Sequence, residues 1–149
     1  MYVPWHVLIA SCDVEERRAM CNILAKLGLD PITAPTIREC EAVVAQEQLG
    51  MIFCTRWLAD GDYRDLLAAA RHWGRKIRIV LAARVTDWDE YLEAMRLGAF
   101  DVISAPCRPT DMEWMLIQAM REEHAETRQI TLTQQVARSL QGASMSKSA

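Results

Sequence analysis

The sequence has no apolar run of the length a membrane span needs, no surplus of positive charge and no cysteine pair at CxxC spacing. The first absence argues against a membrane protein. The second leaves nucleic-acid binding with little electrostatic basis, since 17 Lys and Arg against 20 Asp and Glu give a net charge of −3. The third, with an odd set of five cysteines at 12, 21, 40, 54 and 107, argues against a disulfide framework. A reduced, cytoplasmic chain with mostly core thiols is the expectation. No basic stretch precedes Val7-Leu8-Ile9-Ala10, and that run is too short for a secretion signal. Ile9-Ala10-Ser11-Cys12 faintly mimics a lipoprotein cleavage site but reads better as buried strand. His6, His72 and His124 are scattered, and no metal ligand is assigned to them. No glycine-rich phosphate cradle and no internal repeat occur.

What is present is an ordinary globular composition: 149 residues, 51% hydrophobic and 25% charged. That is enough for one core without staples. Short apolar runs alternate with amphipathic stretches. Tyr2 to Ser11 holds the first strand, and its continuous apolar run suits burial on both faces. Asp13 to Leu27 reads as a helix, capped by Asp13 and ended by Gly28. Leu29 to Ala34, containing Pro31, is a second strand at an edge. A helix from Thr36 to about Gln48 follows, then a third strand, Gly50 to Thr55. Ala59 to Asp62 is a turn signal. Tyr63–Trp73, Ile77–Ala82, Asp87–Leu97, Phe100–Ser104 and Pro109 to about Glu123 continue as helix, strand, helix, strand and helix.

Five strands alternating with five helices over short connections predict an α/β fold. It is a doubly wound five-stranded parallel sheet of order 2-1-3-4-5, flavodoxin-like. Its site belongs at the C-terminal ends of the strands, by Ser11, Cys12, Asp13, Thr55, Ala82 and Ala105. After residue 124 the pattern weakens to Leu132, Val136 and Leu140 at intervals of four. Residues 1–124 are expected to form the domain. Residues 125–149 are expected to form a helical extension ending in a disordered tail from Gly142.

Three stretches resemble a response-regulator receiver domain, the phospho-acceptor module of two-component signalling. Val7-Leu8-Ile9-Ala10-Ser11-Cys12-Asp13-Val14-Glu15-Glu16-Arg17 resembles the first strand, acidic turn and helix start. Met51 to Asp62 resembles the third strand and its loop. Glu93-Ala94-Met95-Arg96-Leu97-Gly98-Ala99-Phe100-Asp101-Val102-Ile103-Ser104-Ala105-Pro106 resembles the family's EALxxGAxDYLxKP segment nearly position for position. The resemblance implies two acidic groups for Mg²⁺, an acceptor aspartate, a Ser or Thr ending the fourth strand, and a lysine before a cis-proline. At those positions stand Ser11 and Cys12, Thr55, Ala82, and Ala105 before Pro106. Mg²⁺ wants carboxylate oxygens, and an acyl phosphate needs a carboxylate nucleophile. No metal, no cofactor and no catalysis are therefore expected.

The expected function is a phosphorylation-independent pseudo-receiver, a protein–protein interaction module in bacterial-type signal transduction. Trp57 and Arg84 are expected to cap the disabled site, stacked on one another. Cys12 is read as a small residue filling a vacated pocket rather than a redox thiol. Through the resemblance, the partner or a second copy is expected on the face of the fourth helix, fifth strand and fifth helix. Trp88, Tyr91, Met95, Val102, Met112, Trp114 and Met115 are assigned to that face. Two alternatives stay open: a phosphorylatable receiver with an acceptor at Asp13, Asp60 or Asp62, and a small ligand- or flavin-binding protein of flavodoxin-like fold.

Overall fold

The computed structural model describes residues 1–84 and 87–147. Strand β1 (His6–Ala10) leads into α1 (Val14–Lys26), β2 (Ile32–Ala34), α2 (Ile37–Gln46) and β3 (Leu49–Thr55). A short antiparallel hairpin, β4 (Trp57–Leu58) and β5 (Gly61–Asp62), precedes α3 (Tyr63–Ala70). Then come β6 (Arg78–Ala82), α4 (Trp88–Arg96), β7 (Asp101–Ile103) and α5 (Pro109–Lys147).

The main sheet is parallel, ordered β2-β1-β3-β6-β7, which is the expected doubly wound order. All seven residues of β3 are buried, as a central strand covered on both faces requires. Pro31, which cannot donate to a ladder, sits just outside the edge strand β2. The register between β1 and β3 slips once: His6 faces Leu49 and Val7 faces Met51, leaving Gly50 as the extra residue of a bulge. The buried Trp5 ring lies over that glycine.

Two compact units divide the chain, Met1–Leu116 and Ile117–Ala149. This division falls earlier than residue 124, within a helix that runs without a break. The expected disordered tail from Gly142 is corrected by helix through Lys147; Ser148 and Ala149 lie outside the described residues. The reason is local. No proline follows Pro109, and a lone glycine costs a helix only about 1 kcal/mol relative to alanine. Thr127, Thr131 and Thr133 turn their hydroxyls back to carbonyls four residues earlier, so they do not break it either. Within the second unit, Ile130, Leu132, Val136 and Leu140 are all exposed.

Candidate functional site

The strand ends carry hydroxyls where the resemblance asks for carboxylates. Ser11 is fully buried after β1 and Thr55 is 4% exposed at the end of β3. The Thr55 hydroxyl donates to Ser11 Oγ at 2.7 Å. Ser11 Oγ also accepts from the backbone N–H of Asp13 at 3.2 Å. Arg17 of α1 donates through Nη1 to the Ser11 carbonyl at 2.8 Å. The ends of β1 and β3 are thus joined by a neutral, internally satisfied hydrogen-bond chain. Mg²⁺ demands anionic oxygen, and these hydroxyls do not fit it. Among the described residues no group of three or more His, Cys, Asp or Glu is placed to hold a metal ion.

The nearby aspartates are occupied at helix ends. Asp13 Oδ1 accepts the N–H groups of Glu15 and Glu16 at 2.9 and 3.0 Å, capping α1. Asp60 accepts from Ile37 and Arg38 at 2.7 and 3.2 Å and helps Thr36 cap α2 from 23 residues away. Asp62 forms a capping box on α3 with Asp65. The Ile37 N–H, followed by that of Arg38, holds the Asp60 carboxyl below the usual carboxylate range. The Arg64 guanidinium does the same to Glu93. A depressed folded-state pKa contributes stability above the unfolded value, and that stability fades as pH falls through the folded value. Asp60→Ala should therefore cost about 0.5–2 kcal/mol at neutral pH. The deficit should shrink in acid, as read by urea midpoints at the two pH values.

The sheet ends open onto a cavity of about 730 Å³, bounded by α1, the loops after β3 and β6, and the segment around Pro106. The Ala105–Pro106 peptide is cis. Cys12 and Thr55 line this cavity, as do Ala82 and Ala105. Cys12 is exposed within it rather than filling it. Trp57 and Arg84 also line it, but they do not close it. Trp57 is 61% exposed, and no stack joins it to Arg84 among the described residues; the cation–ring contact is Arg64 over Tyr63, at 4.8 Å. The expected cap fails because Trp57 belongs to a strand. Leu58 points inward and is buried, so pleating sends Trp57 outward. The Cys107 thiol, also lining the cavity, is pushed up to about 11 by burial and then by Glu16 and Asp111. Burial, then Asp13, raises the pKa of Glu16.

One residue had no role in the sequence reading. Arg56 lines the cavity, ion-pairs with Glu90 of α4 and reaches the Arg84 carbonyl at 3.5 Å. Arg64 grips Glu93 of the same helix with two hydrogen bonds, 2.8 and 3.2 Å. Pairing of residues about thirty positions apart leaves no local signature in a sequence.

The outer face is smaller than expected. Trp88 is 68% exposed and stacks on Tyr91, with centroids 5.1 Å apart; Trp114 is 47% exposed. Leu92, not assigned to the face from sequence, is also exposed on α4. Met95 and Val102 are half-buried and pack on the core. Met112 and Met115 are buried, which corrects their assignment to an interface. Together with Leu116 they follow the three- and four-residue spacing of the inward face of a helix, leaving Trp114 to point out.

No family model and no curated protein matches the sequence. Solved structures do match. The beryllofluoride-activated NtrC4 receiver domain dimer is 20% identical with a TM-score of 0.71, over 78% of this chain and 97% of that one. The receiver domain of NtrX from Brucella abortus is 20% identical, TM-score 0.70, over 77% and 98%. A CheY-like response regulator receiver domain protein from Methanospirillum hungatei is 20% identical, TM-score 0.72, over 82% and 98%. At this identity the likeness shows the fold: the chain adopts the flavodoxin-like architecture of response-regulator receiver domains.

Proposed function

We propose that the chain is a phosphorylation-independent receiver. It acts as a protein–protein interaction module in bacterial-type signal transduction and not as an enzyme. The observation that carries this reading is the buried hydrogen bond from Thr55 to Ser11, which joins the acceptor position to a metal position without a carboxylate at either. Ala82 and Ala105 remove the remaining phosphate partners. The capping duties of Asp13, Asp60 and Asp62 argue against the phosphorylatable alternative. The partner, another protein or a second copy, uses the face bearing Trp88, Tyr91, Leu92 and Trp114; the NtrC4 receiver structure is itself a dimer. Such exposed aromatics are characteristic interface anchors. A net charge of −3 favours a protein over nucleic acid. No described helix is long and apolar enough to cross a membrane. The five free thiols suit a reducing compartment, the cytoplasm.

Incubation with acetyl phosphate and Mg²⁺ should leave both the intact mass and the tryptophan fluorescence unchanged. A gain of one phosphoryl group would overturn the reading. For the interface, light scattering on the full chain with and without Trp88→Ala and Trp114→Ala should show association weakened by either substitution.

A further inference from the structure

Helix α4 is held by less apolar burial than the helices before it. Of its nine residues only Ala94 is buried, against two each in α1 and α2 and three in α3. Half-buried Met95 adds a contact with the core. What fastens the helix instead is a polar seam. Arg56, just after β3, ion-pairs with Glu90, and Arg64 of α3 grips Glu93 at 2.8 and 3.2 Å. Arg71, the C-cap of α3, donates to the carbonyl of Leu97, the C-cap of α4, at 3.2 Å. Glu90, Glu93 and Leu97 recur at three and four residues, which is one side of a helix, and Arg64 and Arg71 lie two turns apart on α3. Tyr63 stands at the same junction, fully buried, with the Arg64 guanidinium 4.8 Å from its ring. Its hydroxyl has no hydrogen-bond partner among the described residues. Burial raises its pKa, and the charges of Arg64, Glu93, Arg56 and Asp62 all reach it. A buried hydroxyl without a partner forfeits its hydration, and that opposes closure.

We propose that α4 is a latched helix: three guanidiniums hold it closed, and it detaches as a unit while the sheet stays folded, admitting water to the Tyr63 hydroxyl. Ion pairs this near the surface are weakened by salt, whereas apolar burial is not. A segment held chiefly by such pairs opens at a lower free energy than the core. Trp88 and Tyr91 ride on the same helix, so a partner that prefers one of the two states selects it. The inference rests on the seam, and stands whether or not the chain accepts a phosphoryl group or the aromatic face receives a partner.

Amide hydrogen exchange of the full chain, resolved by peptide mass spectrometry, tests the latch. In the parent, the α4 amides should exchange together, about a hundredfold or more faster than those of β1 and β3. Their rate should depend little on dilute urea, because a small opening exposes little surface. Glu90→Gln/Glu93→Gln keeps side-chain size and removes both ion pairs; it should speed α4 exchange about tenfold. Raising sodium chloride from about 0.05 to about 0.5 M should speed the same amides in the parent and not in the double variant. Tyr63→Phe, which deletes the unpartnered hydroxyl, should slow α4 exchange severalfold. The parent's salt response and Tyr63→Phe carry the test if the double variant does not fold. Amides of α4 as protected as those of the sheet, a rate unmoved by the double substitution or by salt in the parent, a salt response that survives the double substitution, or faster exchange in Tyr63→Phe would each overturn the proposal. None of these outcomes bears on the acetyl phosphate result, so the two readings fail separately.

Discussion

Gly50→Ala should destabilise the protein by about 3 kcal/mol or more, the upper range for overpacking a filled interior. In a chain of this size that lowers the melting temperature by roughly 6–12 °C. An added Cβ would stand 2.2 Å from Cδ2 and 2.3 Å from Cγ of Trp5. Those atoms lie at the root of a buried indole, so the ring cannot swing aside the way the end of a flexible chain would. Backbone retreat is equally restricted, because Gly50 is the bulge residue between two ladder pairs of β1 and β3. Trp5→Ala alone should cost about 3–5 kcal/mol through lost burial. The double variant should cost less than the sum, since removing the ring removes the clash. Thermal melts of all four chains measure that coupling. Strict additivity would show that the ring over Gly50 is not what constrains the bulge.

Thr55→Asp, which places a carboxylate at the buried end of β3, should destabilise the chain on the order of 3 kcal/mol at neutral pH. The new carboxylate would replace a side chain 4% exposed and hydrogen-bonded to the fully buried Ser11. Arg56, which lines the cavity, is already paired with Glu90. Burial raises the carboxyl's folded-state pKa above its unfolded value, so the penalty is absent below the unfolded value and grows as pH rises. Urea midpoints at roughly pH 4 and pH 8 should therefore differ more for the variant than for the parent. Thr55→Val, which keeps the shape and loses one hydrogen bond, should cost only about 0.5–1.5 kcal/mol with little pH dependence. A Thr55→Asp chain as stable as the parent at high pH would mean that the strand ends tolerate charge after all.

Much of the fold was legible because its signals are local. The buried runs of β1 and β3, the caps at Asp13 and Thr36, and the stop at Gly28 each depend on a few consecutive residues. The hairpin of β4 and β5 reads in the sequence only as a turn, because two-residue strands are too short to show alternation. That omission carried over to the site: without the strand, the outward direction of Trp57 could not be read. The buried side of α5, with Met112 and Met115, is not legible because the helix has apolar residues on several sides and composition alone does not say which side meets the sheet. The cap of Asp60 on α2, the Arg56–Glu90 pair and the Trp5 ring over Gly50 join residues 23 to 45 positions apart. No window of sequence contains both halves of such contacts.

The two arginines that pair with α4 bear on how fast a partner would dock on the proposed face. Arg56 and Arg64, projecting from the end of β3 and the start of α3, fasten Glu90 and Glu93 on one side of that helix, while Trp88 and Tyr91 stack on each other. A surface braced in this way forfeits little side-chain freedom on association. Its encounter rate is then governed by orientation and diffusion, and discrimination among competitors resides in how long each complex survives.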